Sequence, residues 1–488
     1  MSAITGITGE RTNENQLRKM LEPIRHRGPG RSVFKLLKNG GCAAGELDLS
    51  PRSTPVLSGE SDPVVLLDGE IYNSLASRQS NVDYIRELYQ KVGKKCFTLL
   101  DGSFACVLID GEETILARDA VGARPLIYSW NNGRLCFSSE AKSLIPLTDS
   151  VEELLPGHVY SSKEGLQKFA PFIPEVPQFG SPEEAAEILE TLMVRAVKKR
   201  MEDGAVKGVS LSGGLDSSIT AAIAKTIDPG IKLFSTTIQR YPSPDLKFAK
   251  QMADFLNLEH HIYEITDKDI LGFIPDAVWY METFDEDCIS GAIANHFTSK
   301  MIRGYTNCVL VGEGADELFG GYFRELQDIP DPDEKERIAR KLVQIAYNTA
   351  LRRLDRGWMS NSVSYRTPFL DPEIVEFSNT IPMGLKVHYD KAQARNVEKW
   401  ILRQALRDWL PAEIADRPKL RFAGGTGVDD LMDELTKSKA SETDLAENPD
   451  TTGGLKLNSP KELYYYNLFK KNYKPGYEGL VVRWDPFK

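Results

Sequence analysis

Over roughly its first 165 residues the chain alternates short apolar runs with turn-forming residues, as in PVVLLDGEIYN, SFACVLIDGEETILARDAVGARPLIYSW and GRLCFSSEAKSL. Such runs predict a strand-rich unit with a few helices. The stretch Pro171 to Pro182, PFIPEVPQFGSP, suits neither strand nor helix and reads as a linker. A helix should start at its end, because Ser181 fits the N-cap, Pro182 the first helical position and Glu184 the capping-box acid, ahead of the periodic face of EEAAEILETLMVRAVKKRM. Beyond it KGVSLS, KLFSTTI and NCVLVGEG read as strands, separated by helices that include KFAKQMADFL and a long stretch to about Tyr305. This alternation predicts a parallel sheet with covering helices, whose ligands sit at the carboxyl ends of the strands. The expected division is a first domain over 1–170, a linker over 171–182 and a second domain over 183–488. Asp331 to Arg340 reads as a solvated helix and Ser438 to Pro449 as a mobile loop.

Two glycine motifs, SGGLDSS and GEGADE, fall at strand ends. In VSLSGGLDSSITAAIAKTI, Val209 and Leu211 alternate as a strand should, and Ile219, Ala222, Ile223 and Ile227 fall on one helical face. Gly213 and Gly214 let main-chain N–H groups approach an anion closely, and Ser212, Ser217 and Ser218 add hydroxyls at the helix start. The turn is suited to phosphate. Asp216 would repel a bare phosphate, so its presence implies a Mg²⁺ ion between carboxylate and phosphate. No lysine follows the second glycine as in a Walker A loop, which argues for recognition of pyrophosphate over transfer of a terminal phosphoryl group.

Composition narrows the partners. At 488 residues, 41% hydrophobic and 27% charged, the chain has material for two or three domains, each with its own core. A formal charge of -10 disfavours nucleic acid or an anionic membrane as the main partner. The six cysteines show no CxxC spacing, so they read as reduced thiols used as small buried apolar groups. With no signal-like amino terminus and no apolar run of membrane-spanning length, a cytoplasmic location is expected.

SGGLDSS resembles the SGGxDS signature of the N-type ATP pyrophosphatases. Further along, FSTTIQRYPSPDLKFAKQMADFL, YMETFD, VLVGEGADELFGGY, YRTPFLDPEIVEF, VEKWILRQAL and LPAEIADRPKLRF resemble the synthetase domain of the asparagine synthetase family. That resemblance implies an ATP site made by Leu211, Ser212, Gly213, Gly214, Asp216, Ser217 and Gly312, with Asp216 and Asp316 flanking Mg²⁺-pyrophosphate. It implies that Gly312 and Gly314 let the backbone approach nucleotide and acyl group, that Glu313 stands near the acyl-adenylate and the incoming amine, and that Lys419 faces charge developing in adenylation and amide formation. Lactam-forming relatives carry a tyrosine at the place of Glu313, so the glutamate favours an intermolecular amine such as ammonia. IRHRGP, DGEIYN, LDGSFA, RDAVGARPL, SSEAKSL and LPGHVY resemble, in order, the family's glutaminase domain. The implied fold is an α+β Ntn-hydrolase-like αββα sandwich of the class II amidotransferase type, followed by an α/β parallel-sheet ATP pyrophosphatase domain. A homodimer is expected by analogy alone.

The departures from the family pattern are local. Ser2 replaces the nucleophilic cysteine, Asp68 the oxyanion asparagine, Asn81 the glycine of the glutamine-holding segment, in which Asp83 remains, and Leu47 the arginine expected after Glu46. Four changes in one pocket predict a scaffold without glutaminase activity. In the second half Asp287 and Ser290 stand where the family has threonine and arginine, and Ser364 replaces a glutamate before Arg366, which weakens the case for a substrate with a free α-carboxylate. The expected activity is an AMP-forming carbon–nitrogen ligase acting on aspartate or a related carboxylate. Its amine would be ammonia, free or from a separate glutaminase subunit, or an amino group on another molecule. Two alternatives stay open: a related ligase or cyclase making an amide on a different small molecule or peptide, and a non-catalytic nucleotide-binding scaffold.

Overall fold

A computed structural model describes residues 3–483 except 9–13, 29, 31, 37–41, 48–56, 59–62, 78, 132, 170–178, 241–242, 323–328, 330, 391–394 and 419–427. Most of the expected linker therefore lies outside the described residues.

The first half builds two six-stranded antiparallel sheets. One has the order β10 (Glu152–Glu153), β8 (Ile127–Asn131), β9 (Arg134–Ser138), β1 (Ile4–Thr8), β3 (Cys42–Leu47), β2 (Ser32–Leu36). The other runs β12 (Gly165–Lys168), β11 (His158–Ser161), β7 (Glu113–Arg118), β6 (Gly102–Asp110), β5 (Val64–Ile71), β4 (Leu57–Ser58). Strand alternation explains the layering. Val64 and Leu66 of β5 join Ile4, Leu126 and Phe137 in one core, while Val65 and Leu67 pack with Val82 and Ile85 of helix α2 (Asn81–Val92) in another. Helix α1 (Glu14–Leu21) adds Leu17 and Met20 to the core that holds Ile7 of β1. The result is the expected αββα sandwich.

The second half opens on α3 (Pro182–Met201), capped by the Ser181 hydroxyl as expected, while the Glu184 carboxylate accepts from Gly180 N at 2.6 Å. Its five-stranded parallel sheet has the order β15 (His260–Ile265), β14 (Lys232–Ile238), β13 (Gly208–Ser210), β16 (Cys308–Leu310), β17 (Ser364–Arg366). Helix α4 (Leu215–Ile227) follows β13, α5 (Asp245–Leu256) follows β14 and α8 (Ala315–Phe319) follows β16. The two glycine motifs thus leave neighbouring strands at the same sheet edge.

Three expectations need correction. Ile227 is 38% exposed, because α4, about 20 Å long, outruns the three-residue β13 beside it; of the four residues expected on one face, Ile219, Ala222 and Ile223 reach the core. Residues 442–447, expected within a mobile loop, form a helix whose Ser441 and Asp444 make a reciprocal capping box. The long helical stretch is two helices, α6 (Asp267–Met281) and α7 (Glu286–Ile302), parted at Glu282, which takes a left-handed φ of 56°. The charged segment from Asp331 does form a helix, Pro332–Ile345, with Ile338 and Leu342 buried. No helix among the described residues is long and apolar enough to cross a membrane. Cys96, Cys106, Cys136, Cys288 and Cys308 are buried and free.

Buried charge joins the halves. Arg27, fully buried, donates to Glu140 at 2.8 Å, to Asp68 at 3.0 Å and to Asp355 at 2.6 and 3.2 Å. Asp355 lies on the helix Ala350–Met359 of the second half and also accepts from Arg356 and from Tyr365 Oη. Arg352 of that helix reaches Glu153, and Arg366 of β17 reaches Glu70. Burial alone would raise the Asp355 carboxyl, but Arg27, Arg356 and Arg124 hold it down at about 2. Arg27→Ala should cost about 3–5 kcal/mol, because it strands buried carboxylates without a counter-charge; the shift of a urea unfolding midpoint measures it. Because the folded pKa of Asp355 is depressed, its contribution is whole above about pH 4 and is lost as pH falls towards about 2. Unfolding midpoints of wild type and Asp355→Asn taken across that window should converge at the acid end.

Candidate active site

The turn between β13 and α4 is shaped by what its glycines leave out. Gly213 takes φ of 82°, and a Cβ there would run into Asp245 O and come within 2.6 Å of Ala249 N in α5. Only glycine accepts both constraints. Gly214 is the N-cap of α4 and provides no side-chain cap, so the helix's first-turn N–H groups are not capped by that residue. Ser212 and Ser217 hydroxyls lie 3.0 Å apart, and Ser217 Oγ also accepts from Ser212 N at 3.1 Å. The hydroxyls stand beside the positive end of a helix.

From the neighbouring strand, Gly312 faces that first turn so closely that a Cβ on it would meet Ser217 N at 2.8 Å and Asp216 Cβ at 3.0 Å. Its missing side chain brings the two strand exits together. Asp216 and Asp316 consequently share one ammonium: Lys399 Nζ lies 2.6 Å from Asp216 Oδ2 and 2.5 Å from Asp316 Oδ1. Lys399 is 1% exposed at its side chain. Asp216 keeps its other oxygen, Oδ1, buried without a hydrogen-bond partner among the described residues. Two hard carboxylate donors at the spacing of one cation, with a buried oxygen to spare, fit Mg²⁺, which takes one or two protein carboxylates and completes its shell with water and phosphate. Among the described residues no group of three or more acids, histidines or cysteines gathers as a metal cage.

The far side of the pocket is held by Arg353. Its Nη1 donates to Asp287 Oδ2 at 2.9 Å and its Nη2 to Glu313 Oε1 at 3.3 Å. Burial opposes the guanidinium charge, yet Asp287 and Glu313 raise its pKa well above the usual value, so it stays charged. Gly291 makes room for it, since a Cβ there would sit 2.7 Å from Arg353 Cδ. Behind Glu313, burial and then the charges of Glu313 and Asp316 push the Glu317 carboxyl up to about 7, and Tyr322 Oη donates to it at 2.8 Å. The site is rich in acids.

Of the residues expected from the sequence, Ser212, Gly214, Asp216, Ser217, Gly312, Glu313 and Asp316 face one common pocket. Leu211 and Gly213 stand behind its wall: the Leu211 side chain is core, and Leu211 O accepts from Ser235 Oγ. Gly314, at φ of 103°, packs against Leu370. Lys419 lies outside the described residues. Ser290 is buried and is not among the residues that face the pocket, so the polarity there comes from Arg353. Sequence reasoning missed Lys399, Arg353 and Arg417, the last of which donates to Gly213 O at 2.7 Å and pairs with Asp245. Lys399 sits inside VEKWILRQAL, so the motif was visible while its ammonium's partners were not.

In the sandwich, Asp68 accepts from Arg27 and, at 2.8 Å, from Ser139 Oγ. Asn81 bonds Ser74, and Asp83 closes the Ser80 cap of α2. Ser2 lies outside the described residues, as does the Leu47 side chain.

A family described as "Glutamine amidotransferase domain" matches residues 1–164, and one described as "Asparagine synthase" matches 188–331 and 328–466. The chain is 31% identical over 516 residues to Asparagine synthetase (glutamine-hydrolyzing) 3 of Arabidopsis thaliana, covering 96% of this chain and 86% of that protein. It is 30% identical over 500 residues to Asparagine synthetase (glutamine-hydrolyzing) of Sandersonia aurantiaca, covering 93% and 91%.

Replacing Lys399 by methionine would leave Asp216 and Asp316 facing each other without a cation, at a cost of about 3–5 kcal/mol. The thermal midpoint of Lys399→Met should fall accordingly. Millimolar Mg²⁺ should restore part of that fall, and none of it once Asp216→Asn is added.

Proposed function

Because the chain belongs to the asparagine synthetase family, whose chemistry is ATP-dependent amide formation, we propose that it adenylates a small carboxylic acid and passes the acyl group to ammonia or another amine. The observation that carries this reading is the meeting of Asp216 and Asp316 on one cation beside the uncapped start of α4.

The substrate carboxylate attacks the α-phosphorus of ATP, forming the acyl–adenylate bond and breaking the bond to pyrophosphate. Ser212, Ser217 and the first-turn N–H groups of α4 receive the departing pyrophosphate. Asp216 and Asp316 would hold a Mg²⁺ ion, which supplies charge neutralisation for that leaving group. Lys399 keeps the two carboxylates in register. In the second step the amine attacks the acyl carbon, the bond to AMP breaks, and the amine's proton goes to Glu313, a reading supported by the bond from Arg353 that orients its carboxylate. Lys419 keeps its assigned role at the developing charge as part of the proposal.

The division at 171–182 separates this synthetase half from an amidotransferase half that we read as inactive towards glutamine. Supporting that reading, Asp68 stands where the oxyanion donor is expected and is committed to Arg27 and Ser139. A carboxylate there would repel a developing oxyanion. Ammonia would then come from solution or from a separate subunit, and a homodimer and a cytoplasmic location remain part of the proposal.

With ATP, Mg²⁺, ammonium and a panel of carboxylic acids that includes aspartate, the protein should release AMP and pyrophosphate in place of ADP and phosphate. Glutamine should not replace ammonium. Asp216→Asn and Asp316→Asn should each lower the rate about a hundredfold or more. Release of ADP, or rates untouched by either variant, would contradict the proposal.

A further inference from the structure

Ten arginines among the described residues are buried, and nine of them lie within 3.4 Å of a carboxylate oxygen, as Arg27, Arg353 and Arg417 do. Arg403 is the exception. It is 4% exposed and faces the pocket, yet its bonds go only to main-chain carbonyls, from Nε to Glu398 O at 2.8 Å and from Nη1 to Ala415 O. Its Nη2 has no hydrogen-bond partner among the described residues. Burial lowers the pKa of this guanidinium, and the charges of Asp216 and Glu398 oppose that. A desolvated cation without a counter-ion is costly, so one held rigidly in the wall of a pocket is poised for an anion that arrives with the ligand.

Its position says which anion. The helix Trp400–Ala405 carries Arg403 one turn beyond Lys399, whose carbonyl accepts from Arg403 N at 2.9 Å, and Lys399 is the ammonium that Asp216 and Asp316 share. The chain it grips at Ala415 leads in two residues to Arg417, which bonds Gly213 O in the turn between β13 and α4. Arg403 is therefore built onto the same side of the pocket as Ser212, Ser217 and the start of α4, whereas Arg353 and Glu313 hold the far side. A magnesium-bound triphosphate keeps most of its excess negative charge on the terminal phosphate. A guanidinium whose plane is already fixed matches phosphate oxygens better than an ammonium does.

We propose that Arg403 receives the terminal phosphate of ATP, the outer half of the departing pyrophosphate, and so selects a triphosphate over a diphosphate. This rests on the ligase reading for the orientation of the nucleotide, and its test uses binding without turnover. Titrate the full chain in Mg²⁺, with no amine present, with ATP, ADP, pyrophosphate and succinate separately, and repeat with Arg403→Gln and Arg403→Lys. Wild type should bind ATP about tenfold or more tighter than ADP. In Arg403→Gln, ATP and pyrophosphate should weaken by about tenfold or more and ADP by less than about twofold, so that the preference is lost, and Arg403→Lys should recover part of it. Wild-type binding of ADP as tight as that of ATP would overturn the proposal, and that result needs no variant. So would equal weakening of ATP and ADP in Arg403→Gln, the mark of a merely structural role, or weakening of succinate alone, which would make Arg403 a carboxylate receptor. Failure of the ligase reading would show separately, as the absence of AMP when wild type that binds ATP in this pattern is given the panel of acids and ammonium.

Discussion

The approach of two strand ends sets the geometry of the rest of the site. β13 and β16 are neighbours in the parallel sheet, and each is followed directly by a turn and a helix. Any side chain at Gly312 would hold those turns apart by colliding with the first turn of α4. With glycine there, Asp216 and Asp316 converge on Lys399. Two partly buried carboxylates at that separation are tolerable only with a cation between them. The lysine is therefore a resident counter-charge, and a divalent ion arriving with phosphate would meet a site already organised for positive charge.

A single helix ties this pocket to the other half of the molecule. All ten residues of Ala350–Met359 are buried despite three arginines and an aspartate near its centre. Arg352 pairs with Glu153 and Asp355 with Arg27, both in the sandwich, while Arg353 between them turns towards Glu313. A buried ion pair is weak evidence of net stability, since its desolvation offsets most of the attraction, but it strongly penalises wrong alignment. The sandwich thus fixes the helix that positions Arg353. A retained amidotransferase fold has a structural use in this arrangement whether or not it hydrolyses glutamine.

How much of this was legible in the sequence depended on whether the signal was local. The strand-rich first half, the parallel sheet of the second and the two glycine motifs follow from period and turn chemistry, which are properties of contiguous residues, whereas the αββα layering came from the family resemblance. Asp216, Gly312, Glu313 and Asp316 were found because each lies within such a string. Arg353 was not, because LRRLDR has the look of a solvated helix face and nothing local reveals that its charges are answered by residues far away in the chain. Lys399 was hidden for the same reason, although its left-handed φ of 56° shows that the backbone turns to aim it. The capping box of Ser441 and Asp444 was present to be read, and the polarity of the segment obscured it.

The account stands on the nucleotide's phosphates lying at the junction of β13 and α4. Amide hydrogen exchange of the full chain, with and without Mg-ATP, measures this most directly. The account predicts slowed exchange concentrated at residues 212–218 and 312–317, abolished by Asp216→Asn. Protection confined to other segments, or none at saturating nucleotide, would contradict it.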